Sequence, residues 1–407
     1  MRISLNEIKK LVPAAAKVET TELIKLIGAR LVEVEGSFDW SKKYENILIV
    51  KVLSAEAIPE THLHLCQIDA GGEPIQVVCG APNVHAGMLA AWIKPGAIVP
   101  STFDTDEPFE IGARKLRGYD SNGMLAAADE LDLGDDHAGI IEINPEMIGE
   151  NGLQVAPGMT LAEAFGLNDI ILDIENKSLT HRPDCFGLIG FAREVAGILG
   201  EKFTEPEVFG HLQKAERGDN STVLAETGKL DIQIADQTLC PRYSAAVFEF
   251  ENVPKTSSYF TKTAVFLAKA GMRAISPIVD LTNVLMLETG QPLHAFDYDK
   301  FKIVGGGETK IIVRAAREGE EIILLDDKTV KCNENDILIT SNNRPVALAG
   351  AMGGANTEID DTTKKIILES ATFSLYNLRK TQMAHGIFSE AITRFTKGQP
   401  AAQTMVV

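Results

Sequence analysis

A chain of 407 residues is too long for one ordinary domain and predicts two or three. Its 45% hydrophobic content supplies ample core, and 57 acidic against 39 basic residues give a net charge of −18. That charge excludes tight nucleic-acid binding through a general basic surface, so any RNA contact must be local or assisted by a partner.

Five cysteines, Cys66, Cys79, Cys185, Cys240 and Cys332, form no CxxC pair, and no histidine stands at metal-ligand spacing from them. An odd, scattered set suits a reducing compartment. The opening run MRISLNEIKKLVP lacks the apolar stretch of a signal peptide, and no later stretch is long and apolar enough to cross a bilayer. A cytoplasmic protein without a membrane partner is the expectation.

Residues 1–38 read as a short strand from Arg2 to Leu5, an amphipathic helix, and a second helix from Thr21 to Ile27 capped by Gly28. They hold too few apolar residues for a core of their own and should pack on something later. From Ile47 the pattern turns all-β. ILIVKVLSAEAI, LHLCQIDAGG, PIQVVCGAPNVHAG and MLAAWIKPGAIVP are short strands separated by Gly-rich turns, as in a small barrel. Arg114, Lys115 and Arg117 then form a rare basic cluster, either a solvated charged loop or a nucleic-acid contact.

VVCGAPNVHAGMLAAWIKPGA, KLRGYDSNGMLAAADELDLGDDHAGI and the opening strand and helix resemble the N-terminal part of the bacterial phenylalanyl-tRNA synthetase β-subunit family. The resemblance implies an oligonucleotide-binding (OB) barrel inserted into an N-terminal α/β domain, with Arg114, Lys115 and Arg117 as tRNA contacts. Glu60-Thr61-His62-Leu63 departs from the family, which often carries a basic residue there.

DIILDIENKSLTHRPDCFGLIGFAREVAGILG reads as a strand, a loop and a helix ending at Gly200, with Leu188, Phe191, Val195 and Leu199 on its buried face. It resembles the family's Asn-Arg-Pro-Asp-Cys segment, with His181 in place of Asn. Cys185 has no His/Asp arrangement around it and reads as a buried structural thiol. Residues 201–229 are polar and read as a linker. A new domain opens near Leu230 with strands, a loop at Cys240-Pro241-Arg242-Tyr243, and a Ser-capped helix ended by Gly271.

VDLTNVLMLETGQPLHAFD follows. Its apolar residues fall at helical spacing until Gly290 and Pro292 stop the helix. Thr282, Asn283, Gln291, His294 and Asp297 then cluster around a helix end and turn, a wall for a small molecule or an ordinary C-terminus. Further strands (KIIVRAA, EIILLDD, ILITSN) lead to PVALAGAMGGA, whose glycines admit close backbone approach but lack the Lys-Ser/Thr of a phosphate loop. Glu369 stands at the end of an apolar strand, where a carboxylate either accepts a hydroxyl's hydrogen bond in a pocket or faces solvent. A helix containing Leu375, Leu378 and Arg379 completes the pattern.

GMRAISPIVDLTNVLMLETGQPLHAFD, VALAGAMGGANTEI, IILESATF and EAITRFTKG resemble, in order, the editing module of the same β-subunit family. The fold class expected is therefore α+β multidomain. An N-terminal α/β domain (1–38 and 151–200) would hold an inserted OB-fold barrel (39–150). A linker (201–229) and a mixed α/β editing domain (230–400) would follow, and 401–407 would open a further segment, making the chain a fragment. The resemblance implies removal of tyrosine wrongly esterified to phenylalanine tRNA. Thr282, Asn283 and His294 match its catalytic pocket, Ala349 and Gly350 its wall, and Glu369 the carboxylate that recognises the tyrosine hydroxyl. It also implies tRNA(Phe) and a synthetase α subunit as partners in an α2β2 assembly that supports phenylalanyl-tRNA aminoacylation. No cofactor or metal is expected in this chain, ATP and Mg²⁺ being bound elsewhere in the holoenzyme. A non-catalytic tRNA-binding and assembly module, or a free-standing deacylase, are the alternatives.

Overall fold

The structure is a computed structural model that describes residues 1–175, 177–206, 230–252, 259–405 and 407. Most of the expected linker, residues 207–229, lies outside the described residues, as do Ser257 and Ser258. The chain divides into two compact units. The first comprises residues 1–7, 34–174 and 257–275; the second comprises 8–33, 175–256 and 276–407. The expected barrel and mixed α/β character are both present.

In the first unit, β10 (Ile170–Ile174) pairs antiparallel with β1 (Arg2–Ser4) on one side and β2 (Val34–Asp39) on the other. A five-stranded sheet lies between them in sequence: β3 (Ile47–Ala57), β4 (His64–Asp69), β5 (Ile75–Cys79), β6 (Leu89–Ile93) and β9 (Met124–Leu125), in the order β5-β4-β3-β6-β9. It curls into a nearly closed barrel. The hairpin of β7 (Ala113–Leu116) and β8 (Tyr119–Asn122) bridges the gap, and the Ser121 Oγ accepts from the Val78 amide at 3.0 Å. The run ILIVKV is almost continuously apolar because both faces of β3 are covered. Val50 and Val52 point into the barrel with Cys66, Ile68 and Trp92, while Ile47 and Ile49 join a second core with Trp40, Tyr44 and Phe165. The helix Lys262–Lys269 is tied in by the buried Lys269, whose Nζ lies 2.8 Å from Asp169 Oδ2 and 2.7 Å from the Gly166 carbonyl. Removing either charge would strand the other, at a cost of about 3–5 kcal/mol.

The second unit holds two sheets over one core. The first runs β11-β14-β17-β18-β19, from β11 (Asp231–Ile234), β14 (Lys310–Ala315), β17 (Ile337–Ser341), β18 (Arg344–Leu348) and β19 (Met352–Gly353), with only β11 and β14 parallel. The second runs β12-β20-β13, all antiparallel, from β12 (Arg242–Glu249), β13 (Leu293–Asp297) and β20 (Lys365–Thr372). A small hairpin, β15 (Glu321–Ile323) and β16 (Thr329–Lys331), stands beside them. Val313, Ile339 and Val346 from the larger sheet meet Val247, Phe296 and Ile367 from the smaller.

Two expected helix boundaries differ. The helix Thr20–Arg30 runs through Gly28, because Leu23 and Ile27 are buried and the Leu31 and Val32 amides still reach the Ile27 carbonyl. Glycine permits a helix end but does not compel one. The helix Lys262–Lys269 is capped by Thr261 rather than by a serine, its side chain accepting from the Ala264 amide. Gly200 and Gly290 do terminate their helices, in left-handed geometry.

Candidate active site

The smaller sheet of the second unit positions the site. β20 is its central strand, with Glu369 paired to Ala245 on β12 and to His294 on β13. Side chains alternate along a strand, so Ile367, Glu369 and Ala371 share one face with Tyr243, Val247, His294 and Phe296. That face closes the core between the two sheets, which explains why most of its members are apolar. Glu369, Tyr243 and His294 are the polar exceptions, the first two only 5% and 4% exposed and His294 half-buried. Glu369 and Tyr243 satisfy each other: the Tyr243 hydroxyl donates to Glu369 Oε2 at 3.0 Å.

Burial sets the protonation of both titratable groups. It pushes the Glu369 carboxyl up to about 8, opposed by the Tyr243 hydrogen bond, which favours the carboxylate. It pushes the His294 imidazole down to about 4, so His294 is neutral at pH 7. The His294 ring meets Phe296 edge-on, with centroids 4.5 Å apart. On its other side the backbone of Gly353 approaches so closely that an added Cβ would lie 2.6 Å from the ring. This is one reason the run PVALAGAMGGA needs its glycines. Gly350 supplies another, with φ at +65° and Leu378, Phe373 and Phe395 crowding its position.

The polar residues of Val279 to Asp297 separate by role. The helix Pro277–Thr289 carries Thr282 and Asn283, and turns its buried stripe of Ile278, Thr282 and Met286 inward. Ile278 packs with Ala295 and Ile366, so this helix covers the sheet face opposite to Glu369 and His294. Thr282 Oγ1 donates to the Val279 carbonyl at 2.7 Å, and no hydrogen bond among the described residues joins Thr282 or Asn283 to Glu369 or His294. Gln291 is fully buried and donates to the carbonyls of Pro292 and Ala371. Asp297 caps the helix Tyr298–Val304 and accepts from Thr363. Gln291 and Asp297 are structural, and His294 lies in a strand rather than a turn.

Ala349 is fully buried in the same core as Tyr243 and Phe296. The Ala349 and Ala351 amides are engaged with the Ile337 and Leu348 carbonyls, so neither is a free donor. Glu369 is interior to β20, which continues to Thr372, rather than at a strand end. Sequence reasoning missed Tyr243 as the partner of Glu369. Tyr243 pairs with a carboxylate 126 positions away, and only the register of β12 on β20 brings the two together. Cys185 is buried and its thiol is pushed up to about 12, which makes it inert as a nucleophile.

In the first unit, Arg114 and Lys115 lie on the exposed hairpin β7–β8 and Arg117 in its turn. The turn residues Arg117 and Gly118 both have positive φ, +49° and +89°, as a two-residue hairpin connection requires. Arg114 lies over the Phe109 ring at 5.3 Å, and Lys115 Nζ is 3.7 Å from Asp120. A cavity of about 460 Å³ opens beside them, lined by Leu63, Val78, Phe109, Arg114, His137 and Ile140.

Two family models match the chain: a putative tRNA binding domain over residues 47–151 and a B3/4 domain over residues 239–407. The phenylalanine–tRNA ligase β subunit of Symbiobacterium thermophilum is 37% identical over 98% of this chain and 41% of that protein. Its counterpart in Desulfotalea psychrophila is 36% identical over 98% of this chain and 45% of that protein. A crystal structure of an N-terminal fragment of the Pyrococcus horikoshii phenylalanyl-tRNA synthetase β subunit aligns with a TM-score of 0.26 and 13% identity. It covers 57% of this chain and 62% of that one. The chain spans less than half the length of the curated relatives it matches. With both family models in place and the match running along nearly its whole length, the chain belongs to the family of phenylalanine–tRNA ligase β subunits.

Proposed function

We propose that the chain serves a phenylalanine–tRNA ligase as part of its β subunit, and that its second unit hydrolyses tyrosine wrongly esterified to tRNA(Phe). One observation supports this reading above the others: the buried Glu369 carboxyl, strand-paired with a neutral His294. Phenylalanine and tyrosine differ by one hydroxyl. A buried carboxylate whose second oxygen accepts from that hydroxyl is left with that oxygen unmet by phenylalanine, and sites built to bond a substrate hydroxyl discriminate by about 10⁴–10⁵-fold. The ionised carboxylate is the stronger acceptor, so a tyrosyl group favours loss of the Glu369 proton.

The reaction is attack of water on the ester carbonyl. A carbon–oxygen bond forms, the bond to the ribose oxygen breaks, and the terminal hydroxyl of the tRNA takes up a proton. A histidine held at about 4 is a weak base near neutrality, so His294 orients the water or the ribose as a neutral hydrogen-bond partner. Ala349 and Gly350 wall the ring, while Thr282 and Asn283, on the helix Pro277–Thr289, support the sheet from its opposite face. Aminoacylation, with its ATP and Mg²⁺, proceeds on residues outside this chain, and a synthetase α subunit is the partner.

Deacylation of tRNA(Phe) charged with tyrosine or phenylalanine tests the reading. Tyrosine should be released preferentially. Glu369→Ala should lower the tyrosine-to-phenylalanine ratio at least tenfold while leaving tRNA affinity unchanged. Equal, slow release of both amino acids by the unaltered protein would defeat the proposal.

A further inference from the structure

We propose that Tyr243 is the positioning residue that sets the hydroxyl specificity of Glu369, through a resident phenol that occupies one carboxylate oxygen and leaves the other for the substrate. The inference rests on the editing reading above and assigns the residue that makes its carboxylate selective. Tyr243 stands on β12 opposite Ala371, two residue pairs along from Glu369 and so on the same sheet face. Its hydroxyl takes Oε2 at 3.0 Å, and Oε1 makes no hydrogen bond among the described residues.

A free carboxylate can rotate and accept from several directions. One pinned by an internal phenol presents its second oxygen along a fixed line. The pairing also holds the acceptor in a core that would otherwise reject it, since a buried carboxylate without a donor is costly. An incoming tyrosyl hydroxyl then completes a symmetrical arrangement of one carboxylate between two phenols. A phenylalanyl ring leaves Oε1 unmet. Tyr243 does not touch the ester or the water; it acts only through Glu369.

The test is Tyr243→Phe, which keeps the ring and removes the hydroxyl. Steady-state deacylation of tyrosyl- and phenylalanyl-tRNA(Phe) is measured for the unaltered protein, Tyr243→Phe, Glu369→Gln and the double variant, with thermal unfolding alongside. Above pH 8, where Glu369 is ionised, the proposal expects kcat/KM for the tyrosyl ester to fall about tenfold, the worth of one hydrogen bond to a charged group, with the phenylalanyl value within twofold. It also expects Tyr243→Phe to have no further effect on the ratio once Glu369 is Gln. Equal losses for both esters with a lowered melting temperature would make Tyr243 merely structural and overturn the inference. So would additive effects in the double variant. Failure of the unaltered protein to prefer the tyrosyl ester would instead overturn the editing reading on which the inference rests.

Discussion

Glu369 and His294 share a sheet face, and burial displaces them in opposite directions for the same reason, since it penalises whichever form is charged. Glu369 is raised from 4.5 to about 8, so its contribution to stability is fully present below 4.5 and is lost as pH rises to 8. His294 is lowered from 6.5 to about 4, so its contribution is present above 6.5 and is lost as pH falls to 4. Each amounts to about 1.4 kcal/mol per pH unit across its window. Between 4.5 and 6.5 the two nearly cancel, and from 6.5 to 8 only the loss from Glu369 remains. Urea unfolding across pH 5 to 8 should show that late decline, and Glu369→Gln should abolish it. In His294→Gln the decline should begin already near 4.5. A Glu369→Gln variant that keeps the full decline above pH 6.5 would place its origin elsewhere. The same titration should reach function: the preference for a tyrosyl ester should rise with pH to a plateau above 8, because the ionised carboxylate is the stronger acceptor.

At the scale of elements, the approach of the Gly353 backbone to His294 connects β19 to β13. A Cβ at Gly353 would lie 2.6 Å from the His294 ring, and Gly353 does not have a positive φ, so alanine there meets a steric obstacle and no backbone strain. Gly353→Ala should cost about 1–3 kcal/mol through the displaced ring. The cost should largely vanish in a His294→Ala background, because these neighbours do not add independently. Chemical denaturation of the four proteins measures this, and an undiminished cost beside His294→Ala would assign the strain to Leu325, the next contact at 3.1 Å.

The same elements show what was legible. The strands of the barrel, the helix Pro277–Thr289 and its end at Gly290 follow from periodicity and one glycine, all local signals. The resemblance pointed to Glu369, His294 and Ala349 as candidates, but the residues around them yielded neither β13 as a strand nor Glu369 inside β20. Leu293 to Asp297 is short and half polar, and its extended form depends on pairing with β20, some 70 positions on in the chain. Tyr243 was invisible for the same reason. Gln291 and Asp297 looked like site residues because polar groups near a helix end resemble a binding wall until their partners are known.

Over the whole molecule, charge poses the sharper question. A chain at −18 repels a polyanion at long range, so any tRNA contact depends on where cations are exposed together. The hairpin β7–β8 presents Arg114, Lys115 and Arg117 in the region matched by the tRNA-binding family model. Their availability is unequal. Lys115 has Asp120 at 3.7 Å, and Arg114 rests on Phe109, whereas Arg117 stands in the turn itself. An exposed ion pair of this kind is worth at most about 1 kcal/mol and yields readily to a phosphate. Replacing all three, with Arg117→Asn to suit the left-handed turn and Arg114→Gln and Lys115→Gln beside it, should leave the fold intact. Each lost phosphate contact flattens the dependence of log affinity on log salt by about 0.7–0.9. The triple variant should therefore lose about 2 units of slope in tRNA(Phe) binding, with most of its loss of affinity at low salt. Weaker binding with an unchanged slope would mean that the hairpin acts through shape. An unchanged affinity would move the tRNA contact off the barrel altogether.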